Sequence, residues 1–186
     1  GWSTVWTKLN SGMQVTSFYR LSSSKNAAGR LVAGAQDNAT FYYKSGAWTT
    51  IFGGDGMDNY LDPVTNTNVF GSSQYGNFER STNDGVSSSW ANTNPISESA
   101  EWVTPVVANY SLPGYIYVGN ENVVRSTNNG VSWTALATMP GATSSEISAL
   151  AVSATNSLVL YAARRVRYEF GLPGAVFKTT TGGTSW

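Results

Sequence analysis

Apolar residues in this chain fall in short β-like runs separated by polar, turn-forming stretches, and no segment keeps the spacing of an amphipathic helix. Three runs recur in order. The first is Phe18 to Leu21, Met57 to Leu61, Trp102 to Val107 and Ile147 to Val152. The second is Leu31 to Gly34, Val69 to Ser72, Tyr115 to Val118 and Leu158 to Tyr161. The third is Phe41 to Lys44, Phe78 to Arg80, Val123 to Arg125 and Val176 to Lys178. A polar box follows each third run, and a tryptophan after it opens a fourth, as in Trp133 to Leu136. Trp6, Trp48, Trp90, Trp133 and Trp186 are spaced by 42, 42, 43 and 53 residues. Four antiparallel strands at this period predict an all-β chain, a β-propeller or propeller segment of about four four-stranded blades. The approximate repeats are 6–47, 48–89, 90–132 and 133–186.

The box is the most specific motif. It reads Arg80-Ser81-Thr82-Asn83-Asp84-Gly85 leading to Trp90, then Arg125-Ser126-Thr127-Asn128-Asn129-Gly130-Val131-Ser132-Trp133, then Lys178-Thr179-Thr180-Thr181-Gly182-Gly183-Thr184-Ser185-Trp186. Lys44-Ser45-Gly46-Ala47-Trp48 is a shortened relative. Physically, Gly85, Gly130 and Gly183 suit a positive φ, Ser81, Ser126, Asn128 and Thr179 bond to turn amides, and the tryptophans pack between sheets. The motif resembles the Asp-box (BNR-like) hairpin, Ser-x-Asp-x-Gly-x-Thr-Trp, of sialidases, xyloglucan-degrading hydrolases, sortilin-type receptor domains and secreted bacterial repeat propellers. Asp84 stands one place later than that pattern, with Asn128 and Thr181 at the corresponding polar position. In such propellers the hairpin lies away from the ligand face, so the resemblance implies a structural role for Asp84.

Composition narrows the chemistry. Eleven Lys and Arg balance eleven Asp and Glu, which leaves no electrostatic footprint for nucleic acid. With neither Cys nor His, the chain has no Ser-His-Asp triad, thiol nucleophile, disulfide or conventional zinc site, so catalysis would fall to carboxylates, Tyr, Lys or Arg. No apolar stretch is long enough for insertion into a membrane. Ser, Thr and Asn, at 24, 20 and 16 residues, fit a turn-rich β chain.

Loops between second and third strands, with the links from blade to blade, form the rim opposite the boxes, where function belongs. The loops carry Gln36-Asp37-Asn38, Gln74-Tyr75, Glu121 and Arg164-Arg165; the links carry Asp55, Asp58, Glu98, Glu101, Trp102 and Glu146. Seven acids, Asp37, Asp55, Asp58, Glu98, Glu101, Glu121 and Glu146, fall here. Acids and amides beside Tyr75 and Trp102 are the usual chemistry for holding sugars. Asp37 and Asp55 are the candidate catalytic pair, provided that their carboxyl groups stand roughly 5 to 9.5 Å apart across a glycoside. The alternative is that both bond to backbone amides of Gly-rich turns. Asp55 and Asp58 are a candidate calcium pair, a weak signal because two acids stand without a full loop of oxygen donors, and no other cofactor is expected. Arg164, Arg165 and Arg167 come from one blade, whereas a sialidase gathers arginines from several.

The Trp6-Thr7-Lys8-Leu9 run reads as a fourth strand without its first three, and Trp186 ends in a hairpin. Either residues 6 to 9 complete the last blade of a closed four-bladed ring, or the chain is a segment of a longer propeller; the segment is the favoured expectation. The insertion Tyr168 to Gly174 should protrude. Gly34-Ala35-Gln36-Asp37-Asn38, Gly53-Gly54-Asp55-Gly56 and Val69 to Gly76 are similar to secreted surface repeat proteins of gliding bacteria, which implies an exported, type IX secretion cargo at the cell surface. Together these readings favour a binding or scaffold module of a larger secreted protein, for glycan or protein ligands. The alternatives are a xyloglucanase-like glycoside hydrolase fragment and a sortilin-like peptide-binding propeller.

Overall fold

The computed structural model describes residues 7, 11, 16–86, 90–95, 97–141 and 145–186, with the backbone alone at 90, 92 and 170. Four antiparallel sheets follow one another along the chain. The first holds β1 (Phe18–Ser23), β2 (Leu31–Ala35), β3 (Thr40–Lys44) and β4 (Ala47–Phe52). The second holds β5 (Asn59–Leu61), β6 (Val69–Ser73), β7 (Asn77–Ser81) and β8 (Trp90–Asn92). The third holds β9 (Val106–Ala108), β10 (Ile116–Gly119), β11 (Val123–Ser126) and β12 (Thr134–Ala135). The last holds β13 (Ile147–Val152), β14 (Leu160–Arg164) and β15 (Ala175–Thr179). Each sheet pairs its strands in chain order, the meander of a propeller blade. Among the described residues no helix is long and apolar enough to cross a membrane.

Each of the first, second and third runs read from the sequence contributes a strand, with some ends trimmed. β9 starts at Val106 rather than Trp102: Pro105 has no N–H to give a ladder, although its carbonyl still accepts from Gly119 N. β14 starts at Leu160, because the preceding residues close a turn through Val159 N–H to Asn156 O. Residues 6, 8 and 9, the expected fourth strand at the N-terminus, lie outside the described residues.

First strands β1, β5, β9 and β13 pack in succession along the inner edge of the arc, and the core lies between sheets. Strand alternation sends one side-chain set forward to the next sheet and the other backward. Val32, Tyr42 and Ile51 of the first sheet meet Leu61 and Val69 of the second. Tyr60, Phe70 and Phe78 of the second meet Ala108, Ile116, Val118 and Val124 of the third. Tyr117 and Val123 of the third meet Ile147, Leu160 and Ala162 of the last. Burying each of these aromatic side chains stabilises the stack by about 1.5–3 kcal/mol.

The polar boxes share one geometry. Ser81 Oγ accepts from Asn83 N and Gly85 N, Ser126 Oγ from Asn128 N and Gly130 N, and Thr179 Oγ1 from Thr181 N and Gly183 N. The polar residue two places on closes the hairpin: Asn128 Oδ1 and Thr181 Oγ1 each accept the backbone N–H four residues later. Gly130 has φ 73°, and a Cβ there would lie 2.7 Å from Phe70 Cε1, so the turn needs glycine twice over. Trp133 reaches back to the second sheet, donating Nε1–H to Thr93 O at 2.8 Å, and Trp186 packs on the Tyr117 cluster. Trp90 has a described backbone only. Trp48 differs: it is 44% exposed and packs with Phe18, Phe41 and Tyr43 on the outer face of the first sheet. It lies on the face of the first sheet turned away from the second, and its short hairpin has Ser45 and Gly46 both at positive φ.

Asp84, one place late, does not cap its own hairpin. Its carboxylate reaches the first sheet, accepting from Arg30 at 2.9 Å, Tyr42 Oη at 2.7 Å and Lys44 Nζ at 2.6 Å. Burial pushes this carboxyl up, but Lys44, Tyr42 and Arg30 outweigh it and hold the group below the ordinary carboxylate value. Burial, and then the hydrogen bond to Asp84 and its charge, push the Tyr42 phenol up to about 12, with Arg30 opposing.

Candidate functional site

The end of the sheets opposite the boxes forms one stitched rim, because each second-to-third loop bonds to a neighbouring link. Ala39 N donates to Gly54 O, and Gly56 N to Ala35 O. The Asp55 carboxylate accepts from Asp37 N and from Gln74 Nε2, joining the first loop, the first link and the second loop. Tyr75 N approaches Trp102 O at 3.4 Å, and the Glu98 carboxylate accepts Asn122 N at 3.0 Å, carrying the chain of contacts into the third sheet. Arg164 completes it from the last sheet, donating to Glu121 O and Pro140 O.

Three aromatic side chains meet on this rim. Tyr75 and Trp102 stack edge to face at 5.2 Å, and Trp102 Nε1 donates to Tyr19 Oη at 3.2 Å. Tyr75 is 62% exposed and Trp102 37%. Tyr75 also holds φ 57°, a left-handed backbone that is costly for a bulky residue and marks functional surfaces more often than framework. Tyr19 sits at the β1 irregularity between Phe18 and Arg20, where an extra residue re-aims a side chain. Beside the cluster lies a groove of about 170 Å³ lined by Tyr75, Asn77, Asn94, Ser97, Glu98 and Asn120. Amides, a hydroxyl, a carboxylate and an aromatic ring are a set that can hold a polyhydroxylated ligand.

The remaining acids are tied into the frame. Asp58 accepts from Asn59 N at 2.9 Å and Val106 N at 3.1 Å, fastening β5 to β9. Burial pushes its carboxyl up, against those amides and Arg20. Glu101 pairs with Arg165 at 2.9 Å, and Glu146 with Arg167 at 2.6 Å. Glu101 is raised by burial, with Arg165 opposing, and Glu121 is raised by burial and then by Glu98 and Glu146. Arg164 is 6% exposed, beneath the rim rather than on it, with its guanidinium 5.2 Å over the Phe177 ring. The insertion protrudes as a short 3-10 turn at Tyr168–Phe170, with Tyr168 87% exposed.

The structure thus brings Asp37, Asp55 and Gln74 together at one point, with Gln36 and Asn38 exposed beside them, and Tyr75 and Trp102 at another. Asp58, Glu101, Glu121 and Arg164 lie among the sheet and link contacts between blades. Among the described residues no group of three or more His, Cys, Asp or Glu could hold a metal ion. Tyr19, Asn77 and Asn94 joined the site without having been singled out. Tyr19 was hidden in a strand-like run, and the amides are indistinguishable in sequence from turn formers.

No family model and no curated protein matches the chain. Solved structures do. An ancestral GH74 enzyme superposes with a TM-score of 0.70 at 18% identity over 87% of this chain and 24% of its own. The GH74 enzyme of Niastella koreensis gives 0.64 at 22% over 89% and 23%, and the GH74 xyloglucanase of Xanthomonas campestris 0.65 at 14% over 90% and 29%. The computationally designed Ika4 protein gives 0.54 at 11% over 90% and 94%. These likenesses establish the fold, a propeller segment, and the chain spans about a quarter of the length of the enzymes.

Proposed function

We propose that this chain is a glycan-binding β-propeller segment of a larger protein working outside the cell or at its surface, and that it binds through the Tyr19, Tyr75 and Trp102 rim. One observation carries the reading: two exposed aromatic rings, one on a strained backbone, stand beside a groove lined by amides and a carboxylate. Sugar rings stack on such faces while hydroxyls bond to the amides. The box hairpins, similar to Asp-boxes, and the likeness to GH74 enzymes, one of them a xyloglucanase, support a glycan as ligand. Partners of this kind need no cofactor.

Native affinity electrophoresis with soluble xyloglucan and other neutral polysaccharides tests this. Retardation by at least one glycan is expected, and Trp102→Ala should weaken it about tenfold or more, the usual cost of an aromatic anchor. Wild-type mobility unaffected by every glycan would remove the proposal. The hydrolytic alternative rests on the same enzymes and is separated by reducing-sugar release abolished in Asp37→Asn and Asp55→Asn. Asp55, already accepting from Asp37 N and Gln74, is positioned to shape the loop rather than to meet a substrate.

A further inference from the structure

The rim groove is lined by a single charged side chain, and its sign is negative. Asn77, Asn94, Ser97 and Asn120 are neutral polar groups, Tyr75 presents a ring, and Glu98 alone brings a charge. Among the described residues Glu98 has no ion-pair partner. Its Oε2 accepts the backbone N–H of Asn122 at 3.0 Å and its Oε1 is approached by Asn122 Nδ2 at 3.4 Å. A carboxylate has about four lone-pair sites, so about two stay available to a ligand.

The cations of this end of the molecule are committed elsewhere. Arg165 pairs with Glu101, and Arg167 with Glu146 and Glu169. Arg164 lies beneath the rim and gives its guanidinium to the carbonyls of Glu121 and Pro140, while Arg20 donates to Tyr19 O. Arg30 and Lys44 are at the box end with Asp84. Glu121, next in the chain to Asn120, is raised by burial and then by the charges of Glu98 and Glu146, with Arg164 opposing. The groove therefore sits in a negative field although the whole chain is neutral. The exposed rings of Tyr75 and Trp102 beside it act in the same direction, because an aromatic face attracts a cation.

We propose that this groove selects glycans built from amino sugars, with a protonated amine held by Glu98 and the sugar ring against Tyr75, and that it turns away glycans bearing carboxylates or sulfates. The proposal rests on the glycan-binding reading of the rim and adds to it the charge class of the sugar. A hydroxyl would gain only a neutral hydrogen bond at Glu98, whereas an ammonium group gains a charge-assisted one and an anionic substituent meets a like charge.

Calorimetric titration at mildly acidic pH, with a chitosan tetramer and its fully N-acetylated counterpart, tests this. The deacetylated tetramer should bind about fivefold or more tightly, and the preference should shrink as salt is added. Glu98→Gln keeps an oxygen to accept from Asn122 N, so the loop stays in place. In that variant the two tetramers should bind alike, the N-acetylated one as tightly as to wild type. Glu169→Gln, which removes an exposed acid on the insertion outside the groove lining, should keep the preference. Equal affinity of the wild-type chain for the two tetramers overturns the proposal. So does a preference that survives Glu98→Gln, one lost equally in Glu169→Gln, or a Glu98→Gln chain that loses both tetramers together. A wild-type chain that binds xyloglucan but neither tetramer overturns this proposal alone; one that binds no glycan at all removes the rim reading with it.

Discussion

The two ends of the sheets use the same polar residue types for opposite purposes. At the box end, serine, threonine and asparagine oxygens are saturated by amides of their own hairpins, and Asp84 is engaged by three side chains of the neighbouring sheet. At the rim end, amides line an open groove and aromatic rings face solvent. On the rim, Asn77 donates to Gln74 O, Asn94 accepts from Phe78 N and Glu98 accepts from Asn122 N, so the groove's polar groups are positioned by the loops around them, beside rings that face solvent. Changes at the box end should therefore act on stability, and changes at the Tyr75 and Trp102 end on binding.

The largest effect is expected from Gly130→Ala. A methyl group 2.7 Å from Phe70 Cε1, on a backbone at φ 73°, combines overpacking with strain and should cost about 2–4 kcal/mol. Urea denaturation reads this directly, and glycan retention by the folded fraction should be unchanged. Asp84→Ala comes next. It removes the bridge to Arg30, Tyr42 and Lys44 and should cost about 1–2 kcal/mol at neutral pH, since the pair is partly solvated.

The Asp84 effect carries a pH signature. The folded carboxyl sits below its unfolded value, so its contribution is present above the unfolded value of about 3.9 and fades as pH falls through the folded one. Thermal unfolding of wild type and Asp84→Ala should therefore converge in acid; curves that stay parallel down to strongly acidic pH would remove the ion-pair explanation.

Rim substitutions sharpen the contrast. Tyr75→Gly relieves a left-handed backbone while deleting an exposed ring, so stability should move by less than about 1 kcal/mol while glycan retention falls. A large loss of stability would show that Tyr75 is framework. The smallest effect belongs to Arg165→Ala. Its pair with Glu101 is half exposed at the arginine, and the change should cost at most about 0.5 kcal/mol, diminishing in high salt.

What could be read without coordinates was whatever repeats. Tryptophans spaced by 42, 42 and 43 residues and strand-like runs before each box identify four sheets in order, because alternation and turn chemistry are local and recur with each blade. The box geometry was legible for the same reason: Ser81, Ser126 and Thr179 bond within five residues of themselves. Features that join distant segments were not. The reach of Asp84 to Arg30, the bond from Trp102 to Tyr19 across 83 residues and the burial of Arg164 under its neighbours' carbonyls each depend on how sheets stack. A repeat motif specifies its own hairpin through short-range bonds, whereas which side chains meet on the rim is set by the twist and stacking of whole sheets, which only the tertiary structure decides.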